Sequence, residues 1–346
     1  MSHPLPSLFD GLNGRQRDQA LACFEQVTVL YGTPLMVEGD VDASLLCVLD
    51  GELEVRTGGL ELHTAKAGEI IGEIGLFSGG MRTATVETNT EATLLILTRE
   101  GYNELLMRDH PLAMTIEKTA LSSLVRRLRS VDARISETAK GTAMANVTPS
   151  TSFFGRVRQM FGSGGARQAG DVHVATALAK SQLFKDTEPA LLSAVASLFQ
   201  AEAWGPGQFL CTEGEPGEAM YMLADGQVDV LIATEGDSVE PVATLAAGDS
   251  FGMAGLVDQR PRSASCVTRT DVTVLRLDRQ GWTRAVGLDD AAGRVLRVAM
   301  IRSLSGQLAF ANGQLALLEL TKNAQDLTPL LLATAGVEAQ GQAFGT

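Results

Sequence analysis

The stretch Gly72-Glu73-Ile74-Gly75-Leu76-Phe77-Ser78-Gly79-Gly80-Met81-Arg82-Thr83-Ala84-Thr85-Val86 decides how the rest of the chain is read. A glycine-framed turn runs into a short apolar helical stretch, and such a turn presents backbone N–H groups suited to an anion. A carboxylate stands near its start and an arginine follows nine residues later. Arginine holds a phosphate through charge-assisted, often bidentate hydrogen bonds. A carboxylate accepts from sugar hydroxyls. Together they would fit a small ligand carrying both a phosphate and a free hydroxyl. A surface Glu73–Arg82 ion pair explains the same residues about as well.

The segment occurs twice. Leu8-Phe9 returns as Leu183-Phe184, Gly32 as Gly207, Leu35 as Leu210, Glu38-Gly39 as Glu213-Gly214 and Gly51 as Gly226, all 175 residues later. Beyond that the offset is 180: Gly68 matches Gly248, Gly72 matches Gly252, Arg82 matches Arg262 and Ala84 matches Ala264. Val86 is set against Val267 by a one-residue slip. The five extra residues fall inside 227–248, which reads as a hairpin longer at its tip than its counterpart 52–68. Length change at a hairpin tip is what duplicated domains tolerate.

Each copy begins with a short helical pattern, Arg15–Glu25 or Pro189–Phe199. Short alternating strands follow: Leu45–Leu49, Glu52–Arg56, Leu60–Thr64, Thr83–Glu87 and Thr93–Thr98, then Met220–Leu223, Val228–Ile232, Pro241–Leu245, Ser263–Thr268 and Val272–Leu277. Strands this short and evenly spaced predict a mainly β fold with flanking helices (α+β): two jelly-roll-like barrels, each with N-terminal and C-terminal helices. The expected organisation is a first domain over 1–136, a linker over 137–171 and a second domain over 172–346.

With the repeat in view, the segment 72–86 resembles the phosphate-binding cassette of the cyclic-nucleotide-binding family, which includes the bacterial catabolite activator protein and the regulatory subunits of cAMP-dependent protein kinase. The family pattern is roughly F-G-E-x-A-L, a short loop, then R-[AST]-A-x-V. Gly72, Glu73, Leu76, Arg82, Thr83, Ala84 and Val86 match it. The resemblance implies that Glu73 accepts from a ribose 2′-hydroxyl and Arg82 pairs with a cyclic phosphate. Thr83, with the backbone around Gly72, Ile74 and Gly75, completes the cradle. A threonine beside the arginine can also contact a guanine base, so cAMP and cGMP both stay open as the ligand; no other cofactor is expected.

The second cassette departs from the pattern. It reads Phe251-Gly252-Met253-Ala254-Gly255-Leu256 and then Arg260-Pro261-Arg262-Ser263-Ala264. Gly252, Arg262 and Ser263 keep the phosphate side of the motif, but Met253 stands where the ribose carboxylate belongs. A thioether is a weak acceptor, so a ligand here forgoes a charged hydrogen bond of about 1.5–3 kcal/mol. The sequence thus predicts two domains with unequal sites, the first the more complete.

The rest of the chain bounds the function. A net charge of −13 opposes nucleic acid, and no basic recognition helix follows the second barrel, so DNA contact is not expected. No GxSxG, HExxH, P-loop or kinase signature occurs, so neither catalytic nor metal-binding residues are expected. Cys23, Cys47, Cys211 and Cys266 form no CxxC pair and read as reduced thiols. With no basic, apolar leader and no run approaching the ~20 apolar residues of a membrane span, a cytoplasmic location is expected. Met114, Leu121, Leu128 and Ile135 recur every seven residues, with Leu124 and Val131 between them. This stripe packs on its own domain or makes a homodimer through 114–135. The run Arg126-Arg127-Leu128-Arg129-Ser130 reads as exposed arginines on that helix. The apolar, basic island 153–161 packs locally or touches a partner or membrane. The leading expectation is a cyclic-nucleotide sensor acting on an effector protein. A scaffold of barrels that bind nothing is the alternative, and an atypical transcriptional regulator comes third.

Overall fold

The computed structural model describes residues 4–141, 166–168, 173–184, 186–233, 239–287 and 290–341. The island 153–161 and most of the expected linker lie outside them.

In copy 1, after a 3-10 turn and helix α1 (Gly14–Leu21), eight strands follow: β1 (Glu25–Val29), β2 (Pro34–Met36), β3 (Leu45–Asp50), β4 (Glu52–Thr57), β5 (Leu60–Lys66), β6 (Ile70–Ile71), β7 (Thr85–Thr88) and β8 (Ala92–Leu97). Helix α2 (Glu73–Phe77) lies between β6 and β7, and α3 (Arg99–Met107) and α4 (Pro111–Gly141) close the copy. The strands form two antiparallel sheets, β1-β8-β3-β6 and β2-β7-β4-β5. Leu46, Val48 and Leu94 of one sheet meet Leu53, Val55 and Val86 of the other in an apolar core, as alternation in a two-sheet sandwich requires.

Copy 2 repeats this with β9 (Arg167–Gln168), α5 (Val174–Lys180), α6 (Pro189–Ala196), β10 (Gln200–Trp204), β11 (Phe209–Cys211), β12 (Ala219–Asp225), β13 (Val228–Ala233), β14 (Val239–Leu245) and β15 (Ser250–Phe251). It ends with α7 (Met253–Asp258), β16 (Ser265–Thr268), β17 (Val272–Asp278), α8 (Arg279–Gly287) and α9 (Ala291–Gly341). Its sheets are β15-β12-β17-β10-β9 and β11-β16-β13-β14, so only the short β9 is added. The tight turns after β3 and β12 need glycine. Gly51 and Gly226 have φ of +88° and +89°, and a Cβ there would meet backbone at 2.5 and 2.3 Å.

The mainly β, two-barrel expectation holds, with four local corrections. Strands β1 and β10 escaped the sequence reading: β1 is a mostly exposed edge strand, and β10, between β9 and β17, is half-buried and carries two alanines among its five residues. The helix predicted to reach Glu25 stops at Leu21. The slip at Val86 is absent: Met36 faces Val86 and Cys211 faces Cys266, so Val86 corresponds to Cys266 at the same offset of 180. The chain after Arg284, read as a helix followed by a separate apolar run and tail, is one helix of 51 residues after α8.

The helices of both copies and the outward faces of β3, β8, β12 and β17 share one large apolar cluster. In it α4 and α9 pack along each other. Leu121, Leu124, Leu128 and Val131 of the predicted stripe are buried there. The stripe offered for a homodimer through 114–135 is therefore covered by the same chain. A buried polar knot sits within the contact. Glu117 accepts from Tyr102 Oη at 2.6 Å and from Arg297 Nε at 2.6 Å, and Arg297 Nη1 donates to Ala285 O at 3.2 Å.

Candidate functional site

Gly72 ends β6 with φ +90°, a left-handed conformation that turns the chain into α2. A Cβ there would lie 2.6 Å from Ser44 O and 2.7 Å from Arg82 Nη1. A Cβ at Gly75 would lie 2.8 Å from the same Nη1, yet Gly75 is an ordinary glycine in a helix. Both glycines therefore make room for one buried guanidinium. Arg82, 3% exposed, donates through Nη2 to Ser44 O at 2.9 Å and to Ser44 Oγ at 2.8 Å, and through Nη1 to Gly72 O at 3.3 Å. Its Nη2 also forms an ion pair with Asp42. Burial pushes the Asp42 carboxyl up, but hydrogen bonds from Arg82 and Ser44 outweigh this and hold it below the usual carboxylate range.

Glu73 begins α2 and is wholly buried. Its Oε1 accepts from Arg127 Nη1 of α4 at 2.8 Å, while Oε2 has no hydrogen-bond partner. Arg127 Nη2 donates to Ile70 O at 2.7 Å. The Glu73–Arg82 ion pair that the sequence left open as an alternative does not form: each residue has a different partner. The run 126–129, read as exposed arginines, forms a row of ion pairs in which Arg126 is exposed while Arg127 and Arg129 are largely covered. Arg126 reaches Glu69 at 2.6 Å, Arg127 reaches Glu73, and Arg129 reaches Asp258 of copy 2, with Nη2 to Oδ1 at 3.0 Å. Burial raises the Asp258 carboxyl, and the hydrogen bond from Arg129 more than reverses this.

A cavity of only about 60 Å³ remains beside the first cassette. Ile74, Thr83 and Ala84 line one side, Arg127 and Val131 of α4 another, and Leu308 and Asn312 of α9 close it. Arg302 of α9 also donates from Nε to Phe77 O at 2.9 Å, capping the end of α2. The long helix of copy 2 therefore sits on the cassette of copy 1.

The second cassette has the opposite balance. Gly252 repeats the left-handed turn with φ +76°. Met253 is 1% exposed and takes the place of Glu73, while Gly217 and Ala219 stand where copy 1 has Asp42 and Ser44. Arg262, 8% exposed, donates to Gly252 O and Ala219 O, both at 2.6 Å. Beside it lies a cavity of about 880 Å³ that Ser263 also lines. Its far wall comes from Leu128, Arg129 and Asp132 of α4 and from Ser303, Gln307 and Phe310 of α9. Burial pushes the Asp132 carboxyl up to about 6 even though Arg129 pulls it down.

Of the sequence-selected residues, Gly72, Glu73, Gly75, Arg82, Ile74 and Thr83 gather at one site. Gly252, Arg262 and Ser263 gather at the other. The sequence reading missed Asp42 and Ser44, which lie in no motif. It saw Arg127 only as part of a basic run. Its one available signal was helical periodicity, which sets Arg127 near the inward positions Leu124, Leu128 and Val131.

Two β-sandwiches, each with a glycine turn, a short helix and a buried arginine, define a class. The cyclic nucleotide-binding domain family matches residues 26–109 and 201–287, and the chain carries two copies of that domain in tandem. Among curated relatives, the cGMP-dependent protein kinase egl-4 of Caenorhabditis briggsae is 23% identical over 267 residues, 77% of this chain and 28% of the relative. The cAMP-dependent protein kinase regulatory subunit of Aspergillus niger is 35% identical over 105 residues, 30% of this chain and 25% of the relative. The chain thus spans about a quarter of the length of these relatives. Among solved structures, the regulatory domain of Toxoplasma gondii PKA with cAMP aligns with a TM-score of 0.31 at 19% identity, covering 84% of this chain and 90% of that one. A cyclic nucleotide-binding domain from Methylobacillus flagellatus aligns with a TM-score of 0.37 at 23% identity, covering 40% and 78%.

Proposed function

We propose that the chain is a sensor of a cyclic nucleoside monophosphate, cAMP or cGMP, that binds through copy 1 and signals through the α4–α9 pair to an effector protein. One observation carries this reading: the two charged cassette residues, Glu73 and Arg82, are both buried and each holds a partner that the ligand would replace. A cyclic phosphate competes with Asp42 for Arg82, and a ribose hydroxyl competes with Arg127 for Glu73. The cavity of about 60 Å³ is far below the roughly 300–1,000 Å³ of small-molecule sites. Entry therefore requires α4 and α9 to withdraw. Withdrawal breaks Arg127–Glu73 and Arg302–Phe77 and reshapes the wall shared with the second cavity. The ligand drives this only by the excess of its affinity for the withdrawn arrangement.

The kinase relatives favour a protein kinase as the class of effector. The test is isothermal titration calorimetry of the full chain with cAMP and with cGMP, on wild type and on Arg82→Ala. Wild type binds one of them, and Arg82→Ala weakens that binding by about one to two decades, the worth of one charged hydrogen bond. Absence of heat with either nucleotide refutes the sensor and leaves the scaffold reading.

A further inference from the structure

Copy 2 holds a feature that copy 1 lacks. Cys211 on β11 and Cys266 on β16 are direct cross-strand partners in an antiparallel pair. The equivalent positions in copy 1 are Met36 and Val86, an apolar contact in the sandwich core. Opposed residues in antiparallel strands have Cα atoms about 4.5–5.5 Å apart, inside the range of about 4.4–6.8 Å that a disulfide spans. Both cysteines line the 880 Å³ cavity, as does Arg262. Cys211 is partly exposed and Cys266 is buried behind it.

We propose that Cys211 and Cys266 are a peroxide-reactive dithiol in the wall of the second cavity, with Cys211 the attacking sulfur and Cys266 the resolving one. The Cys211 thiolate attacks one oxygen of a hydroperoxide and the O–O bond breaks. The leaving oxygen takes a proton and departs as water (or an alcohol), and Cys211 becomes a sulfenic acid. The sulfur of Cys266 then attacks the Cys211 sulfur, the S–O bond breaks, and the hydroxyl leaves as water with the Cys266 proton. Two thiols lose two electrons to one peroxide, and β11 is joined to β16 four residues beyond Arg262.

The surroundings give the two sulfurs different roles. The neighbouring Cys266 thiol holds the Cys211 thiol below its ordinary value; burial opposes this and the Arg262 charge adds to it, while Cys211 Sγ itself lies 4.0 Å from Ala264 O. Cys266 moves the other way, through its proximity to Cys211 and its own burial. Reactivity follows thiolate character and access. The other two cysteines serve as internal controls. Burial pushes Cys47 up to about 12, and burial with the Glu104 charge raises Cys23.

The test treats the full chain with hydrogen peroxide, removes the peroxide, alkylates the remaining thiols with N-ethylmaleimide in denaturant and maps the non-reduced digest by mass spectrometry. The expected result is loss of two of the four alkylatable thiols, a single 211–266 cross-link, and recovery of all four with dithiothreitol. In Cys266→Ser, dimedone traps Cys211 as its sulfenic acid and no internal disulfide forms. The proposal is overturned if Cys211 and Cys266 stay alkylatable while Cys23 or Cys47 oxidises. It is equally overturned if wild-type Cys211 proceeds to sulfinic acid without forming the cross-link. Nucleotide binding enters neither outcome, so the result stands apart from the sensor reading.

Discussion

Replacing Arg127 by methionine should weaken the fold and strengthen ligand binding at once. Arg127 donates to Glu73 Oε1 at 2.8 Å and to Ile70 O at 2.7 Å, and Glu73 is fully buried with its second oxygen unpaired. Methionine keeps most of the apolar stem and removes the charge, leaving a buried carboxylate uncompensated. Breaking a buried pair in this way costs about 3–5 kcal/mol. Because Arg127 keeps some contact with solvent, the lower end applies, about 3 kcal/mol. Only the part tied to closure over the cassette opposes the ligand. If about 2 kcal/mol of the loss falls there, binding of the preferred nucleotide tightens roughly 30-fold. Calorimetric titration gives the affinity and urea denaturation without nucleotide gives the stability. Opposite signs are the signature. Binding that is unchanged or weaker in Arg127→Met would falsify the competition between Arg127 and the ligand for Glu73.

Three further perturbations follow from the same contacts. Gly72→Ala puts a Cβ 2.6 Å from Ser44 O on a residue with φ +90°; it should cost about 1–3 kcal/mol and displace Arg82, and a thermal shift unaltered from wild type would contradict this. Arg297→Met removes the nearest cation from the buried Glu117, which keeps Tyr102 and the more distant Arg294, and should lower the urea stability by about 3 kcal/mol, whereas a loss below 1 kcal/mol would show the knot to be incidental. Asp132→Asn tests a pH effect of defined sign. Burial raises this carboxyl from 3.8 to about 6, so between those values the folded chain keeps a proton that the unfolded chain has released. Wild-type stability therefore falls through that window as pH rises, and ionisation is fully unfavourable above it. The variant should match wild type near pH 4 and exceed it by up to about 3 kcal/mol near pH 8, as urea titrations at the two pH values will show; a difference independent of pH would exclude Asp132 as the source.

Much of this protein is legible along the chain. The duplication, the turn glycines and the order of short strands are local or periodic signals, and each is enforced by backbone geometry at the residue concerned. Gly51, Gly72, Gly226 and Gly252 all adopt the left-handed conformation that marks the turns. The cassette residues could be chosen for the same reason: Gly72, Glu73 and Arg82 lie within eleven consecutive positions, on the stretch that runs from β6 through α2 to β7.

Tertiary structure decided which partners those residues hold and where there is room. Asp42 reaches Arg82 across 40 positions, Arg127 reaches Glu73 across 54, and Arg302 reaches Phe77 across 225. No local pattern encodes such choices, because they depend on how α4 and α9 cross the two sandwiches. Sequence alone showed that the copies are unequal and that the first retains the complete charge set. Packing added the counterpart: the complete cassette is closed beneath helices from both copies, and the one that lost its acid faces the large cavity. The physical reason is that charge complement is written residue by residue, whereas space is whatever the packed helices leave.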